Sequence, residues 1–238
     1  MDSLLELPLA ALTTIVPSLL LDVDSQVATA ELLFARLPLC EDDEIKAILN
    51  LMCMNCSPTP LITLGLMNML ECVNPLLIVE VVPQLCGNTP AEVAVVVEAF
   101  KNLVDTDRTF LPPVLGALGQ LNLPKALAQE VFDLARESLG LVDENDTPAV
   151  IKCLMQTVAG KWDSNQAVVL IDTLRSYGQQ FTKSTLVLVL GILQVIFFSL
   201  SLLDTHSLSL SLRSLFIRVP LPVCRRVCGL TRMRRVGS

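Results

Sequence analysis

Histidine and aromatic residues are scarce in this chain. Its 238 residues include one histidine, one tryptophan, one tyrosine and eight phenylalanines. Sandwiches and barrels of β-strands are rich in aromatic and β-branched residues, so a composition dominated by aliphatic side chains favours helices packed on helices. We therefore expect an all-α protein.

The usual sequence motifs of catalysis are also missing. The one histidine, His206, lies in the C-terminal part, and the chain has no phosphate-cradling glycine loop, nucleophile elbow or helical zinc motif. Residues 1–6 carry acidic side chains where a secretory signal needs positive charge, which predicts an intracellular protein. We expect no enzymatic activity, catalytic residue, cofactor or metal.

Basic residues are few in the first three quarters of the chain. Residues 1–184 hold 23 acidic and 10 basic residues, a net charge of −13, whereas residues 185–238 hold seven arginines, no lysine and one acidic residue, a net charge of +6. This change predicts a folded segment over residues 1–183 and a tail over residues 184–238.

Four dipeptides place a side-chain oxygen directly before a proline: Thr59-Pro60, Asn74-Pro75, Thr89-Pro90 and Thr147-Pro148. The threonine or asparagine can accept a hydrogen bond from an unpaired amide at the start of a helix, and proline at the next position gives up a donor that the helix does not use. Other predicted caps or starts are Ser25, Asp107, Asp163 and Leu123-Pro124.

Apolar residues recur behind these starts at i, i+3, i+4 and i+7, or at a close variant of that spacing. The predicted buried stripes are Ala30/Leu33/Phe34/Leu37, Ile45/Ile48/Leu49/Met52, Val93/Val96/Val97/Phe100, Leu127/Val131/Leu134/Ala135, Ile151/Leu154/Met155/Val158 and Ala167/Leu170/Ile171/Leu174. About ten helices are predicted, at residues 4–16, 26–37, 42–54, 60–72, 75–86, 90–104, 108–120, 124–139, 147–159 and 164–177.

Alternate helix starts recur at a period of 30 to 34 residues, as between Pro60 and Pro90 and between Pro90 and Pro124. This period is typical of an α-solenoid of antiparallel helix pairs, similar to HEAT and armadillo repeats. The segments 61–70 and 76–82 are apolar nearly all round, which predicts that they lie in an inner layer.

Two groups of residues have the chemistry of metal ligands. The run from Glu41 to Glu44 is more simply an acidic first turn that complements the helix dipole. Cys53 and Cys56 form a CxxC pair that Cys72 and Cys86 could complete, but the 2, 15 and 13 intervening residues lack the second close pair of a zinc ribbon. Core positions are therefore favoured for these cysteines.

The tail supports two interpretations. Leu186–Leu203 is an apolar run of 18 residues, which as a helix spans about 27 Å, near the roughly 30 Å of a bilayer core, so it has the character of a membrane anchor. The Leu/Ser alternation of residues 207–212 is what a CT dinucleotide repeat gives when it is translated. That low-complexity composition favours translated non-coding sequence. Cys224 and Cys228, beside Arg225-Arg226, are weak candidates for reactive or lipidated thiols.

Several motifs between Leu61 and Tyr177 are similar to those of a known family. They are Asn74-Pro75 followed by Val82-Pro83-Gln84-Leu85-Cys86-Gly87, then Asn102-Leu103-Val104, the run from Thr109 to Leu123, and the run from Asp146 to Leu154. Together they resemble the N-terminal helical solenoid of the Fanconi anaemia group D2 family. Proteins of this family are several times longer, so the chain resembles a truncated piece.

The resemblance implies a nuclear, non-enzymatic scaffold of DNA interstrand-crosslink repair that pairs with the related Fanconi anaemia group I protein and other helical-repeat proteins. The net charge of −13 over residues 1–184 would repel phosphate, so we expect contact with DNA only through the complex. An unrelated helical-repeat adaptor and a tail-anchored membrane protein are the alternatives. The family's ubiquitin acceptor lies outside the match, so no such role passes to Lys46, Lys101, Lys125, Lys152, Lys161 or Lys183.

Overall fold

The computed structural model describes residues 7–21, 23–158 and 164–178, with residues 186, 187, 189 and 191. Regular secondary structure in these residues is entirely helical, which confirms the all-α prediction. The helices are α1 (Leu9–Leu21), α2 (Val23–Arg36), α3 (Asp42–Asn55), α4 (Pro60–Met69), α5 (Pro75–Leu85), α6 (Pro90–Thr106), α7 (Leu111–Leu118), α8 (Lys125–Ser138), α9 (Thr147–Val158) and α10 (Ser164–Tyr177), with 3-10 turns at Leu37–Leu39 and Arg108–Phe110.

The chain forms two compact units, Met1–Trp162 with α1 to α9 and Asp163–Ser238 with α10. The first unit is an α-solenoid of two layers. The odd-numbered helices pack on one another in chain order and form one layer, and the even-numbered helices form the other in the same way. Successive helices such as α4 and α5, or α8 and α9, pack across the layers. The odd-numbered helices begin 33 to 36 residues apart, as expected for stacked helix pairs.

Three of the predicted proline-led caps are confirmed. The Thr59 hydroxyl accepts from the amide of Ile62 at 3.3 Å, and the Asn74 side chain accepts from the amide of Leu76 at 3.2 Å. Thr89 caps α6 in a reciprocal capping box. Each cap satisfies an amide that the first helical turn leaves unpaired, so the starts of α4, α5 and α6 follow from local chemistry.

Two other predicted caps are wrong. Thr147 lies within the first turn of α9, and its hydroxyl donates to the carbonyl of Asp143 at 3.1 Å, because a preceding turn already leads into the helix. Ser25 lies inside α2 and donates to the carbonyl of Leu19 at 2.6 Å. Asp107 caps the 3-10 turn that precedes α7, and Asp163 lies outside the described residues.

Helix α1 extends beyond its predicted end at residue 16. It continues through Pro17 to Leu21, although proline inside a helix removes one hydrogen bond and costs about 3 kcal/mol. Leu12, Val16 and Leu20 are buried on the same side of this helix. Burying each large apolar side chain contributes roughly 1.5–3 kcal/mol, which offsets the cost of the proline. The predicted start at residue 4 lies outside the described residues.

The predicted apolar stripes are buried wherever their side chains are described, except in α8. There Leu127 and Leu134 are only half-buried, and Ala128 and Phe132 are buried in their place. Helix α8 packs on α9 and also contacts α6 and α7. The largest apolar side chain, Phe132, takes the covered position, so the buried stripe is shifted from the predicted one.

The prediction of an inner layer is wrong for α4 and α5. Two layers leave one side of each helix open, so α4 exposes Leu61 and Leu64, and α5 exposes Leu76. A helix whose sequence has no polar face is not necessarily covered on every side by its own chain. In α4 the uncovered side is apolar.

Candidate interaction surface on the even-numbered helices

The outer side of α4 exposes two leucines. Leu61 and Leu64 are 53% and 51% exposed, and Asn68 completes the row at helical spacing. The segment Pro60–Met69 contains no charged residue. Exposed leucines are common singly, but a helical row without a charge is typical of a surface that another molecule covers.

Close packing fixes α4 within its layer. Its opposite side is buried through Ile62, Leu66 and Leu70. A Cβ atom added at Gly65 would lie 2.4 Å from the ring of Phe34, so α2 approaches the backbone of α4 at this glycine. The absence of a side chain at Gly65 thus determines how closely α2 and α4 pack and which side of α4 faces outward.

Helix α6, the next member of the even layer, adds Val95 to this surface. Val95 is 46% exposed, on the same side of α6 as the exposed residues Ala91, Glu98 and Asn102. The buried side of α6 carries the predicted stripe, including the fully buried Phe100. Because α4 and α6 are neighbours in one layer, their outer sides form one face. We call Leu61, Leu64 and Val95 together the α4–α6 face.

The exposed charges on α2 and α6 and in the turn after α4 are acidic, whereas Arg108, in the 3-10 turn that follows α6, is basic and exposed. Glu31 on α2, Glu71 after α4, and Glu98 and Asp105 on α6 are exposed. The only basic residues in the three helices α2, α4 and α6 are Arg36 and Lys101, and both are engaged within the fold, as described next.

Arg36 is buried and links three parts of the chain. Its guanidinium group donates to the backbone carbonyl of Leu7 at 2.6 Å and to the carboxylate of Glu44 at 2.7 Å. Lys101 forms an ion pair with Glu130 on α8. Both cations therefore have partners inside the first unit, and the exposed acidic residues set the charge of the outer side of α2, α4 and α6.

The connection between α5 and α6 holds the start of α6 in place. Thr89 and Glu92 form the capping box, and the carboxylate of Glu92 is buried. A Cβ atom at Gly87 would lie 2.2 Å from Oε1 of Glu92, so the carboxylate occupies the space beside this glycine. The amide of Gly87 donates to the hydroxyl of Thr63 on α4 at 3.3 Å. The start of α6 is thus held directly against α4.

The cysteines do not form a zinc set in the described part of the chain. No group of three or more histidine, cysteine, aspartate or glutamate residues is placed there to hold a metal ion. Cys53 and Cys56 are half-buried, Cys72 is exposed and Cys86 is buried. Burial, with a smaller effect of the neighbouring Cys53, raises the pKa of Cys56 to about 11, so this thiol stays protonated at neutral pH. Cys224 and Cys228 lie outside the described residues.

The core interpretation is confirmed for Cys86, and Cys153 on α9 is buried as well. Burial raises the pKa of Cys153 to about 12. It is wrong for Cys72, whose position at the turn after α4 is open to solvent because this turn lies beyond the packed end of the helix.

The acidic run from Glu41 to Glu44 forms the start of α3, as the simpler interpretation predicted. Glu41 precedes the helix, and the next three acids form its first turn. Asp42 accepts from the side chain of Asn74 at 2.9 Å, and Glu44 pairs with Arg36. These contacts, together with the helix dipole, account for the run.

The lysines to which no role passes from the family are surface residues wherever the structure describes them, with one partly buried exception. Lys46, Lys125 and Lys152 are exposed, and Lys101 is half-buried in its ion pair with α8. Lys161 and Lys183 lie outside the described residues.

No known protein family, curated protein or solved structure matches the chain. Within the part that the structure describes, no helix has both the length and the apolar character needed to cross a membrane. Most of the segment 186–203 lies outside that part, so the predicted anchor stays a prediction.

The sequence patterns missed the α4–α6 face. The available signal was the segment 60–69, which has no charged residue and no polar stripe. That signal alone favours an inner layer, because an apolar helix is more often covered by its own chain than by a partner.

Proposed function

We propose that this chain is a non-enzymatic scaffold that binds other helical-repeat proteins. The observation that carries the proposal is the α4–α6 face, an apolar surface on a stacked helical array. The outer side of α8, in the same layer, instead carries the exposed residues Lys125, Glu130 and Glu137. Solenoids present such extended surfaces because each repeat leaves one side of its helices uncovered.

The resemblance of residues 61–177 to the Fanconi anaemia group D2 family supports a narrower form of the proposal. In that form, the scaffold acts in the nucleus in the repair of DNA interstrand crosslinks, with a group I-like protein as its partner. The net charge of −13 over residues 1–184 supports contact with DNA only through that partner.

Copurification tests this function. The tagged full-length chain is expressed in cells that contain a group I-like protein, and its partners are compared with and without an interstrand crosslinking agent. We expect the group I-like protein to be enriched after damage. The control is Phe100→Asp, which buries a charge in the core at a fully covered position and should abolish the enrichment. Recovery of other helical-repeat proteins alone would support the unrelated adaptor instead.

Cellular fractionation tests the location. We propose a nuclear protein, and carbonate extraction separates this from a tail-anchored one. A chain that stays in the membrane pellet after extraction would contradict the nuclear proposal and support an anchor at residues 186–203.

A further inference from the structure

We propose that the α4–α6 face binds a basic amphipathic helix of a partner protein. The proposal rests on the proposed scaffold function and names the chemistry of the partner that this face accepts: a row of leucine-like side chains flanked by lysine or arginine.

The apolar part of the face spans two neighbouring helices. Leu61 and Leu64 lie one turn apart on α4, and Val95 lies on the neighbouring helix. Packed helices have axes about 8–10 Å apart, so the groove between them accepts a single row of side chains from a third helix. All three side chains keep about half of their surface in water, and a partner that covers them adds to the binding free energy in proportion to that area.

The charges around the groove determine the kind of helix. Glu98 is exposed one turn from Val95, and Glu71 and Asp105 are exposed where α4 and α6 end. Lys101 pairs with Glu130 and Arg36 pairs with Glu44, so both cations of α2, α4 and α6 are engaged in the fold. A helix with basic flanks gains attraction from the acids, whereas one with acidic flanks is repelled.

The same charges argue against a second copy of the chain as the occupant. A two-fold interface would place the α4–α6 face against itself and bring Glu71, Glu98 and Asp105 of one copy near those of the other. Repulsion between like charges at such an interface opposes association.

Peptide binding to the full-length chain tests the proposal. Two synthetic peptides of roughly 18 residues, about five helical turns, share one leucine pattern. All of the remaining positions are lysine in one peptide and glutamate in the other. Binding is followed by fluorescence anisotropy of the labelled peptides. We expect the Leu/Lys peptide to bind and the Leu/Glu peptide to bind at least about tenfold more weakly, a difference equivalent to about 1.4 kcal/mol.

A pair of matched variants locates the binding. Leu64→Lys places a cation in the face, and Leu76→Lys makes the same substitution at a position that is 44% exposed on α5, in the other layer. Both change the net charge equally. We expect Leu64→Lys to weaken the Leu/Lys peptide by at least about tenfold and Leu76→Lys by less than about twofold. Circular dichroism of both variants checks that the helices are retained.

Three outcomes would overturn the proposal. The first is equal weakening of peptide binding by the two variants, which would indicate attraction by net charge alone. The second is equal binding of the two peptides. The third is a dimer in light scattering that Leu64→Lys dissociates, which would make a second copy the occupant.

The scaffold function is tested separately. If the group I-like protein does not copurify while the peptide results are as expected, the proposed scaffold function is wrong and the proposed binding site is retained. If Leu64→Lys leaves copurification unchanged, the group I-like protein binds at another surface.

Discussion

Helices α4 and α8 lie in the same layer of the solenoid and differ mainly on their outer sides. Both bury an apolar stripe, through Leu66 in α4 and Phe132 in α8. The exposed positions of α8 carry Lys125, Glu130 and Glu137, whereas α4 has no charged residue at all. The inner stripe therefore suffices to place a helix in the stack, and the outer side is free to serve another purpose. In α8 that side is solvated, and in α4 it has the composition of a contact surface.

The largest expected effect tests whether the two sides of α4 differ as described. Leu66→Ala removes a fully buried side chain and should lower the free energy of unfolding by about 2–5 kcal/mol. Leu64→Ala, on the outer side, should lower it by less than about 1 kcal/mol, because half of that side chain is already in water. Urea unfolding measures both values. Similar losses for the two variants would mean that Leu64 is a core residue and that α4 does not differ from α8.

A medium effect tests how α4 is held against α2. Gly65→Ala forces the ring of Phe34 to move, and overpacking of this kind costs about 1–3 kcal/mol, less about 1 kcal/mol gained from the helix propensity of alanine. Gly116 in α7 is the matched control, since nothing lies within 4 Å of an added Cβ atom there. Gly116→Ala should raise the thermal midpoint while Gly65→Ala lowers it. A rise for both would show that α2 yields easily and that the outer side of α4 is not fixed.

The smallest effect concerns the contact between α6 and α8. Lys101→Met removes the ion pair with Glu130, which is partly exposed, so the expected loss is about 0.2–1 kcal/mol at low ionic strength. The difference from the parent chain should vanish near 1 M salt, where the screening length is about 3 Å. Unfolding at two salt concentrations measures it. A loss that persists at high salt would contradict this account, because methionine keeps most of the apolar stem of lysine and the screened charge is the main difference.

Helix positions were predictable because their signals are local. Thr59, Asn74 and Thr89 satisfy amides within three residues of themselves, so the side chain that starts each helix is visible in the sequence. The prediction that Thr147 caps α9 is wrong because a turn at Asp143 precedes the helix, and the hydroxyl of Thr147 donates to the carbonyl of Asp143. The predicted end of α1 before Pro17 is wrong because burial of apolar side chains in α1 outweighs the one hydrogen bond that proline removes.

The interaction surface was not predictable because exposure depends on the whole stack. Periodicity identified Phe100 as a core residue, since it lies on a regular apolar stripe. The segment 61–70 is apolar nearly all round, so periodicity could not separate the buried Leu66 from the exposed Leu61 and Leu64. Only the arrangement of α2, α4 and α6 in one layer shows which side of α4 remains uncovered. The exposure of the cysteines also depends on packing, since Cys72 is exposed and Cys86 is buried although both follow an apolar helix.

The polar contacts between repeats have a consequence for how the first unit folds. Asn74 reaches back 32 residues to Asp42, and Gln26 reaches forward 31 residues to Ser57, so each contact joins one repeat to the next. Contacts that stay this local keep the entropy of loop closure small and favour rapid folding. Each helix pair can therefore become ordered as soon as its successor leaves the ribosome, and the array can lengthen by whole repeats without waiting for its far end.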